Sequence, residues 1–151
     1  MDKISYIYDT EIGKIEITEE SEIIIGINFN VDTNIKKQET KLIRNTYLQI
    51  KEYLEGKREE FDIPIKLNGT EFQKKVWREL LEIPYGETRS YKQIAEKIGN
   101  PKACRAVGMA NHNNPIAIIV PCHRVIGTNN KLVGYAGGVD IKQKLLNLEN
   151  F

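Results

Sequence analysis

Apolar residues in the first 30 positions of this chain fall at strand spacing, whereas after Asn68 and Gly69 they recur at helical spacing, and this division limits the fold more than any other feature. Ile4, Tyr6 and Tyr8, then Ile12, Ile15 and Ile17, then Ile23 to Phe29 predict three short strands, with turns at Thr10 to Gly13 and Glu19 to Glu22. A meander follows. Leu42, Ile43, Tyr47, Ile50, Tyr53 and Leu54 then predict one helix over Thr40 to Glu55, stopped by Gly56. The segment Phe61 to Ile65, with Pro64 inside it, reads as an edge strand or the start of a linker. The expected fold is therefore α/β, with a small N-terminal antiparallel sheet plus helix in residues 1–65. A helical, winged helix-turn-helix-like domain is expected in residues 66–151.

Thr70 and Gln73 form a capping-box pattern ahead of Phe72, Val76, Trp77, Leu80 and Leu81, which predicts a helix ending at Pro84. Ser90 and Gln93 repeat the pattern before Ile94, Ala95 and Ile98, and Gly99 breaks that second helix. Asn100 as cap and Pro101 as first helical residue predict a third, aligned on Ala103, Ala106, Val107 and Ala110. Two short helices around a tight glycine-containing turn make a helix-turn-helix. The third helix offers few Asn, Gln or Arg side chains for base edges in a major groove. Small residues such as Ala106 and Gly108 allow close approach instead, and Arg105 beside them could occupy space in a base stack. Helix propensity and core packing are an equally simple reason for the alanines.

The net charge of +1 divides unevenly: residues 1–65 carry 9 Lys and Arg against 14 Asp and Glu, and residues 66–151 carry 13 against 7. A basic second half favours a polyanion partner, with a chance division of a balanced surface as the alternative. Ile116 to Val120, the longest apolar run, falls far short of the roughly 20 residues of a bilayer helix. The charged N-terminus also lacks a signal-peptide core. The expectation is a cytoplasmic protein with no membrane partner. Cys104 and Cys122 have neither CxxC spacing nor a matching histidine pattern, so both are expected reduced, with no disulfide framework and no metal site.

Pro121, Cys122, His123, Arg124 and Val125 follow the apolar run and are expected to set a thiol beside an imidazole at a strand end. Cysteine attacks as thiolate, and a free pKa of about 8.5 leaves only a few per cent ionised at neutral pH, so an adjacent base raises its reactivity. The pair alone leaves open a plain alternative, in which Cys122 is a small buried hydrophobe.

The strings FQKKVW, IPYGETRSY, NPKACRAVG, NNPIAIIVPCHRVIG, GYAGG and KLLNLE, in this order between about Thr70 and Glu149, resemble the O6-alkylguanine-DNA alkyltransferases, also called methylated-DNA-protein-cysteine methyltransferases. Residues 1–65 match that family only in length and in the order of strands and helix. The resemblance implies that Cys122 accepts an alkyl group, that His123 removes the thiol proton through a water, and that Glu149 orients and charge-stabilises the imidazole. It implies that Asn114 ties the turn after the recognition helix to the active-site strand, that Tyr91 presses on a phosphate and offers its hydroxyl to the base, and that Arg105 fills the gap left in the duplex. Backbone near Cys122 and Val125, and the loop 128–138 with Tyr135 and Ala136, would form the guanine pocket. Ala106, Gly108 and Arg124 join the DNA-facing set. Lys142 would face the site, with a solvated helix lysine as its plainer reading.

The implied activity is direct reversal of O6-alkylguanine in double-stranded DNA, with O4-alkylthymine as a second candidate lesion. One irreversible transfer per molecule is expected, by a monomer that needs no cofactor and no metal. The nucleotide must be rotated out, because O6 of a paired guanine lies within the stack. A binder that recognises alkylated DNA without chemistry is one rival, and a Cys-His hydrolase of acyl groups is another. Met109, Ala117 and Ala136 depart from residues common in the family, and the N-terminal zinc site of some members has no counterpart, since residues 1–65 hold neither Cys nor His.

Overall fold

The three strands expected at the N-terminus form as an antiparallel meander: β1 (Lys3–Thr10), β2 (Gly13–Glu20) and β3 (Ile23–Phe29), with a register shift between Thr18 and Glu19. A short β4 (Lys36–Lys37) joins β1 in parallel, giving the order β3-β2-β1-β4. The computed structural model describes residues 2–127, 135 and 137–149. Helix α1 (Lys41–Leu54) follows the sheet, and Ile43, Ile50 and Tyr53 on it are buried, as are Ile15 and Ile17 of β2. Thr40 caps α1 by accepting from the Ile43 amide, while its own hydroxyl donates to buried Glu19.

Strand β2 is buried at successive positions, so side chains of both parities are covered, and Glu16 is enclosed with them. Its carboxylate accepts from Ser5 Oγ at 2.6 Å, Thr33 Oγ1 at 2.7 Å and the Thr33 amide at 3.1 Å, and the Lys37 ammonium lies 3.1 Å away. Burial pushes this carboxyl upward, but those donors outweigh it and hold Glu16 below the ordinary range. Segment 61–65 meets β3 through a single bridge, Ile65 to Ile24.

The chain divides into two compact units: one contains the chain up to Leu67 together with Pro115–Ala117, and the other contains Asn68–Asn114 and the chain from Ile118 onward. A single division at residue 65 does not contain the return of Pro115–Ala117, which has a local cause. The Ile27 amide donates to Pro115 O at 2.9 Å and the Ala117 amide to Ile27 O at 3.1 Å, so this segment pairs with β3.

In the second unit, α2 (Glu71–Leu81) and α3 (Tyr91–Lys97) both start with the complete capping boxes predicted from Thr70 with Gln73 and Ser90 with Gln93. Gly69 admits Trp77, because a Cβ there would lie 2.7 Å from the indole ring. Trp77 is buried, and its Nε1 donates to Ala110 O at 2.8 Å, which joins α2 to α4 (Cys104–His112). That bond matters because Ala110 O is among the last carbonyls of α4, which have no intrahelical donor. Helix α4 begins at Cys104 rather than at Pro101: the Ala103 amide bonds Asn100 O at 3.0 Å, so 101–102 form a turn, and no side chain caps the helix. Short strands β5 (Arg89–Ser90) and β6 (Val125–Ile126) pair in parallel, and α5 (Val139–Leu148) completes the unit.

Candidate active site

Cys122 begins a one-turn 3-10 helix, Cys122–Arg124, and so does not stand at a strand end. The residues before it turn: Ile116 makes an isolated bridge, and buried Ile118 takes φ +72°. A β-branched residue in that region costs on the order of 1–3 kcal/mol and persists only where its surroundings fix it. Asn114 Nδ2 supplies part of that restraint by donating to Val120 O at 2.8 Å, and the Cys122 amide bonds the same carbonyl at 2.8 Å. Asn111 Nδ2 reaches Cys122 O at 3.3 Å. The backbone around the thiol is thus held from the C-terminal end of α4, where Asn114 meets a turn and a 3-10 helix and not the strand expected there.

The thiol is 3% exposed, and burial pushes its pKa up to about 11, against the opposing pull of a hydrogen bond from Asn114 and the charge of Lys142. At neutral pH the resting sulfur is a protonated thiol. Lys142 is fully buried on α5, and burial lowers its pKa to about 8, with the nearby Cys122 acting in the other direction. Its Nζ lies 5.9 Å from the centroid of the Tyr91 ring. Tyr91 opens α3 immediately after Ser90, which pairs with Ile126, so the β5–β6 ladder brings this phenol beside the thiol segment. Burial, with Cys122 next, raises the Tyr91 pKa, while a hydrogen bond with Asn111 lowers it.

His123 is completely buried, and its Nε2 stands 2.9 Å from Glu149 Oε2. An ionised carboxylate only accepts, so Nε2 carries the proton of that bond. Glu149 is the residue just past α5, and three further donors meet it: Arg124 Nε on Oε1 at 2.9 Å, Arg124 Nη2 on Oε2 at 3.0 Å and the Gly86 amide on Oε1 at 3.1 Å. Gly86 has φ +82°, and a Cβ there would sit 3.3 Å from the Glu149 carbonyl oxygen, so conformation and space both favour glycine. Burial lowers the His123 pKa first of all, opposed by the hydrogen bond and charge of Glu149 and assisted by the charges of Arg124 and Lys142.

The other expected site residues divide. Arg105 and Ala106 are exposed on α4, and Gly108 lies against the Tyr91 ring, which a Cβ at 108 would meet at 3.9 Å. Arg124, expected at the DNA, is 7% exposed and directed into the protein. Its Nη1 donates to Ile83 O at 2.7 Å, and the guanidinium lies 5.7 Å from the Tyr85 ring centroid. Val125 and Tyr135 are buried, and Ala136 lies outside the described residues, as does the stretch 128–134 of the expected base-pocket loop. Cys104 is exposed, and no group of three His, Cys, Asp or Glu among the described residues could hold a metal ion.

Sequence reasoning missed Asn111, Tyr85 and Gly86. Asn111 had a legible signal, since it falls with Val107 and Ala110 on the buried face of α4, where a polar residue needs a partner. The Gly86 amide had none, because nothing local in the sequence pairs residue 86 with residue 149.

Comparison with known proteins gives two family matches: "6-O-methylguanine DNA methyltransferase, ribonuclease-like domain" over residues 4–67 and "6-O-methylguanine DNA methyltransferase, DNA binding domain" over residues 71–151. The methylated-DNA–protein-cysteine methyltransferase of Methanosarcina acetivorans is 50% identical over 151 residues, covering 95% of this chain and 96% of its own. That of Methanosarcina barkeri is 60% identical over 109 residues, covering 72% and 69%. A crystal structure of the Mycobacterium tuberculosis protein OGT in complex with DNA superposes with a TM-score of 0.91 at 44% identity, covering 97% of this chain and 92% of that one.

Proposed function

This chain belongs to the 6-O-methylguanine DNA methyltransferase family, and from that premise we propose that it repairs duplex DNA by moving the alkyl group of O6-alkylguanine onto its own Cys122. The observation that supports this most is the geometry at the centre of the site, a buried thiol next in sequence to a buried imidazole anchored by Glu149 at 2.9 Å.

The chemistry balances within the site. The sulfur attacks the alkyl carbon in line, an S–C bond forms, and the C–O6 bond breaks with its electron pair going to the base. O6-alkylguanine lacks the N1 proton that guanine carries, so the proton lost by the thiol equals the proton the repaired base gains. His123, with Nε2–H given to Glu149, has Nδ1 as the nitrogen that can take that proton from Cys122 through a water and pass it on. Lys142 favours the thiolate as it forms, and Tyr91 offers its hydroxyl to the base. The product is a thioether with no comparable leaving group, and one protein molecule performs one transfer.

A sulfur only 3% exposed cannot reach a base inside a duplex, so the nucleotide turns out of the stack at a cost of a few kcal/mol, less where alkylation already weakens pairing. The exposed face of α4, with Arg105 and Ala106, is the surface we assign to the minor groove, where Arg105 fills the vacancy. The first unit serves as a structural domain, and the second, Asn68–Asn114 with the chain from Ile118 onward, as the DNA-binding and transfer domain. The proposed activity is that of a monomer in the cytoplasm. No described helix is long and apolar enough to cross a membrane.

The test is Cys122→Ser assayed beside the parent on duplex DNA containing O6-methylguanine. Transfer is abolished while affinity for that DNA is kept. Loss of binding together with transfer refutes the division of roles, and repeated turnover by the parent refutes the self-inactivating mechanism.

A further inference from the structure

The carboxylate of Glu149 has room for about four hydrogen bonds, and all four directions are used: two by Arg124, one by the Gly86 amide and one by His123. We propose that Arg124 is a positioning residue that keeps His123 an uncharged base by neutralising and holding Glu149. This rests on the alkyl-transfer reading above and assigns to Arg124 a task apart from DNA contact.

A buried carboxylate beside an imidazole normally favours imidazolium. Here the carboxylate is already matched by a two-pronged guanidinium, the more directional kind of ion pair. Among the described residues, the charged side chains acting on His123 are Glu149, Arg124 and Lys142, with the Cys122 thiol adjacent in sequence. A proton on His123 would place a third cation beside Arg124 and Lys142, with Glu149 the one anion among the described residues acting on it. The site therefore holds the imidazole neutral with its proton on Nε2: burial is the first cause that lowers the His123 pKa, and the Arg124 and Lys142 charges add to it against the pull of Glu149. Arg124 is itself fixed by Ile83 O at 2.7 Å and by the Tyr85 ring, so its fork cannot swing away from Glu149 without losing both. Glu149 thus orients His123 more than it charge-stabilises it.

The test compares the full-length parent, Arg124→Met and Arg124→Lys, reading the His123 ring by nitrogen NMR and single-turnover methyl transfer as a function of pH. In the parent, His123 titrates below its ordinary value of about 6.5 and is neutral with Nε2–H from about pH 7 to 8. In Arg124→Met the imidazole titrates above its ordinary value of about 6.5, and at pH values below that new midpoint the transfer rate falls about tenfold for each further drop of one in pH. Arg124→Lys keeps the charge and leaves His123 neutral over the same range. Three results overturn the proposal: a charged His123 in the parent above about pH 6.5, a Met variant whose ring titrates like the parent while losing rate equally at every pH, or a Lys variant that titrates like free histidine. If the Met variant does not fold, the first and third remain decisive. Absence of methyl transfer by the parent refutes the function instead, and the ring titration still decides the role of Arg124.

Discussion

Replacing Lys142 by Met exchanges stability against reactivity at one buried position. Burial carries this ammonium from an ordinary pKa of 10.5 down to about 8, which amounts to about 3 kcal/mol against folding while the unfolded lysine is charged. The sign follows from proton counts. Between those two values the unfolded chain binds more protons than the folded one, so the stability of the parent rises with pH across that window and the penalty is complete below it. Met fills a similar volume without charge. Lys142→Met should therefore gain about 3 kcal/mol at pH 7, a rise of about 6–12 °C in Tm for a chain of this size, and the gain should vanish above about pH 10.5. The upward pKa of Cys122 weakens folding as pH rises from 9 toward about 11, but it is present in both proteins and drops out of the difference to first order. Reactivity moves the other way. Losing the Lys142 charge raises the thiol pKa further, and each rise of one in that pKa removes about tenfold of the thiolate on which transfer draws. Urea denaturation at pH 7 and pH 10.5, with single-turnover transfer rates at pH 7.5, checks both halves. A variant less stable than the parent at pH 7, or a stability difference equal at the two pH values, refutes the reasoning.

Trp77→Phe leaves the ring volume largely filled but strips Ala110 O at the end of α4 of its donor, so a loss of about 1–3 kcal/mol in denaturant unfolding is expected. Glu16→Ala removes the acceptor shared by Ser5, Thr33 and Lys37, and should cost on the order of 1–3 kcal/mol at pH 7. Because the folded pKa of Glu16 is depressed, its contribution is present above its ordinary value of 4.5 and is lost as pH falls through the lower folded value. Denaturation of parent and Glu16→Ala should therefore converge in acid, and a constant difference from pH 7 to pH 3 would contradict the assignment.

The elements that could be read directly were those whose signals are local. Short apolar runs at strand spacing, with Tyr6 and Tyr8 among the isoleucines, mark β1 to β3, and the Thr70–Gln73 and Ser90–Gln93 pairs mark the starts of α2 and α3 at the residues where the helices begin. Asn100 and Pro101 gave a similarly local signal and misled, because a proline suited to the first helical position also suits a turn, and the chain takes the turn before α4. The run Ile116–Val120 looked like a strand because it is apolar throughout. Pairing beyond Ile116 is prevented by the turn that sets Ile118 at positive φ, which hydrophobicity does not encode. Cys122, His123 and Glu149 enter through the resemblance of whole motifs to a known family, and the structure brings His123 and Glu149 within 2.9 Å. The resemblance places Arg124 in the DNA-facing set, yet its partners Glu149 and Ile83 are 25 and 41 residues away in sequence and appear only once the chain has folded.

The central claim, that the alkyl group ends on one sulfur and stays there, is tested most directly by weighing the Cys122 peptide after the full-length protein meets duplex DNA containing O6-methylguanine. One added methyl on Cys122, in step with restored guanine and saturating at one per protein molecule, is the predicted result. A methyl found on Cys104 or elsewhere, an unchanged Cys122 mass beside restored guanine, or restored guanine in excess of the protein would contradict it.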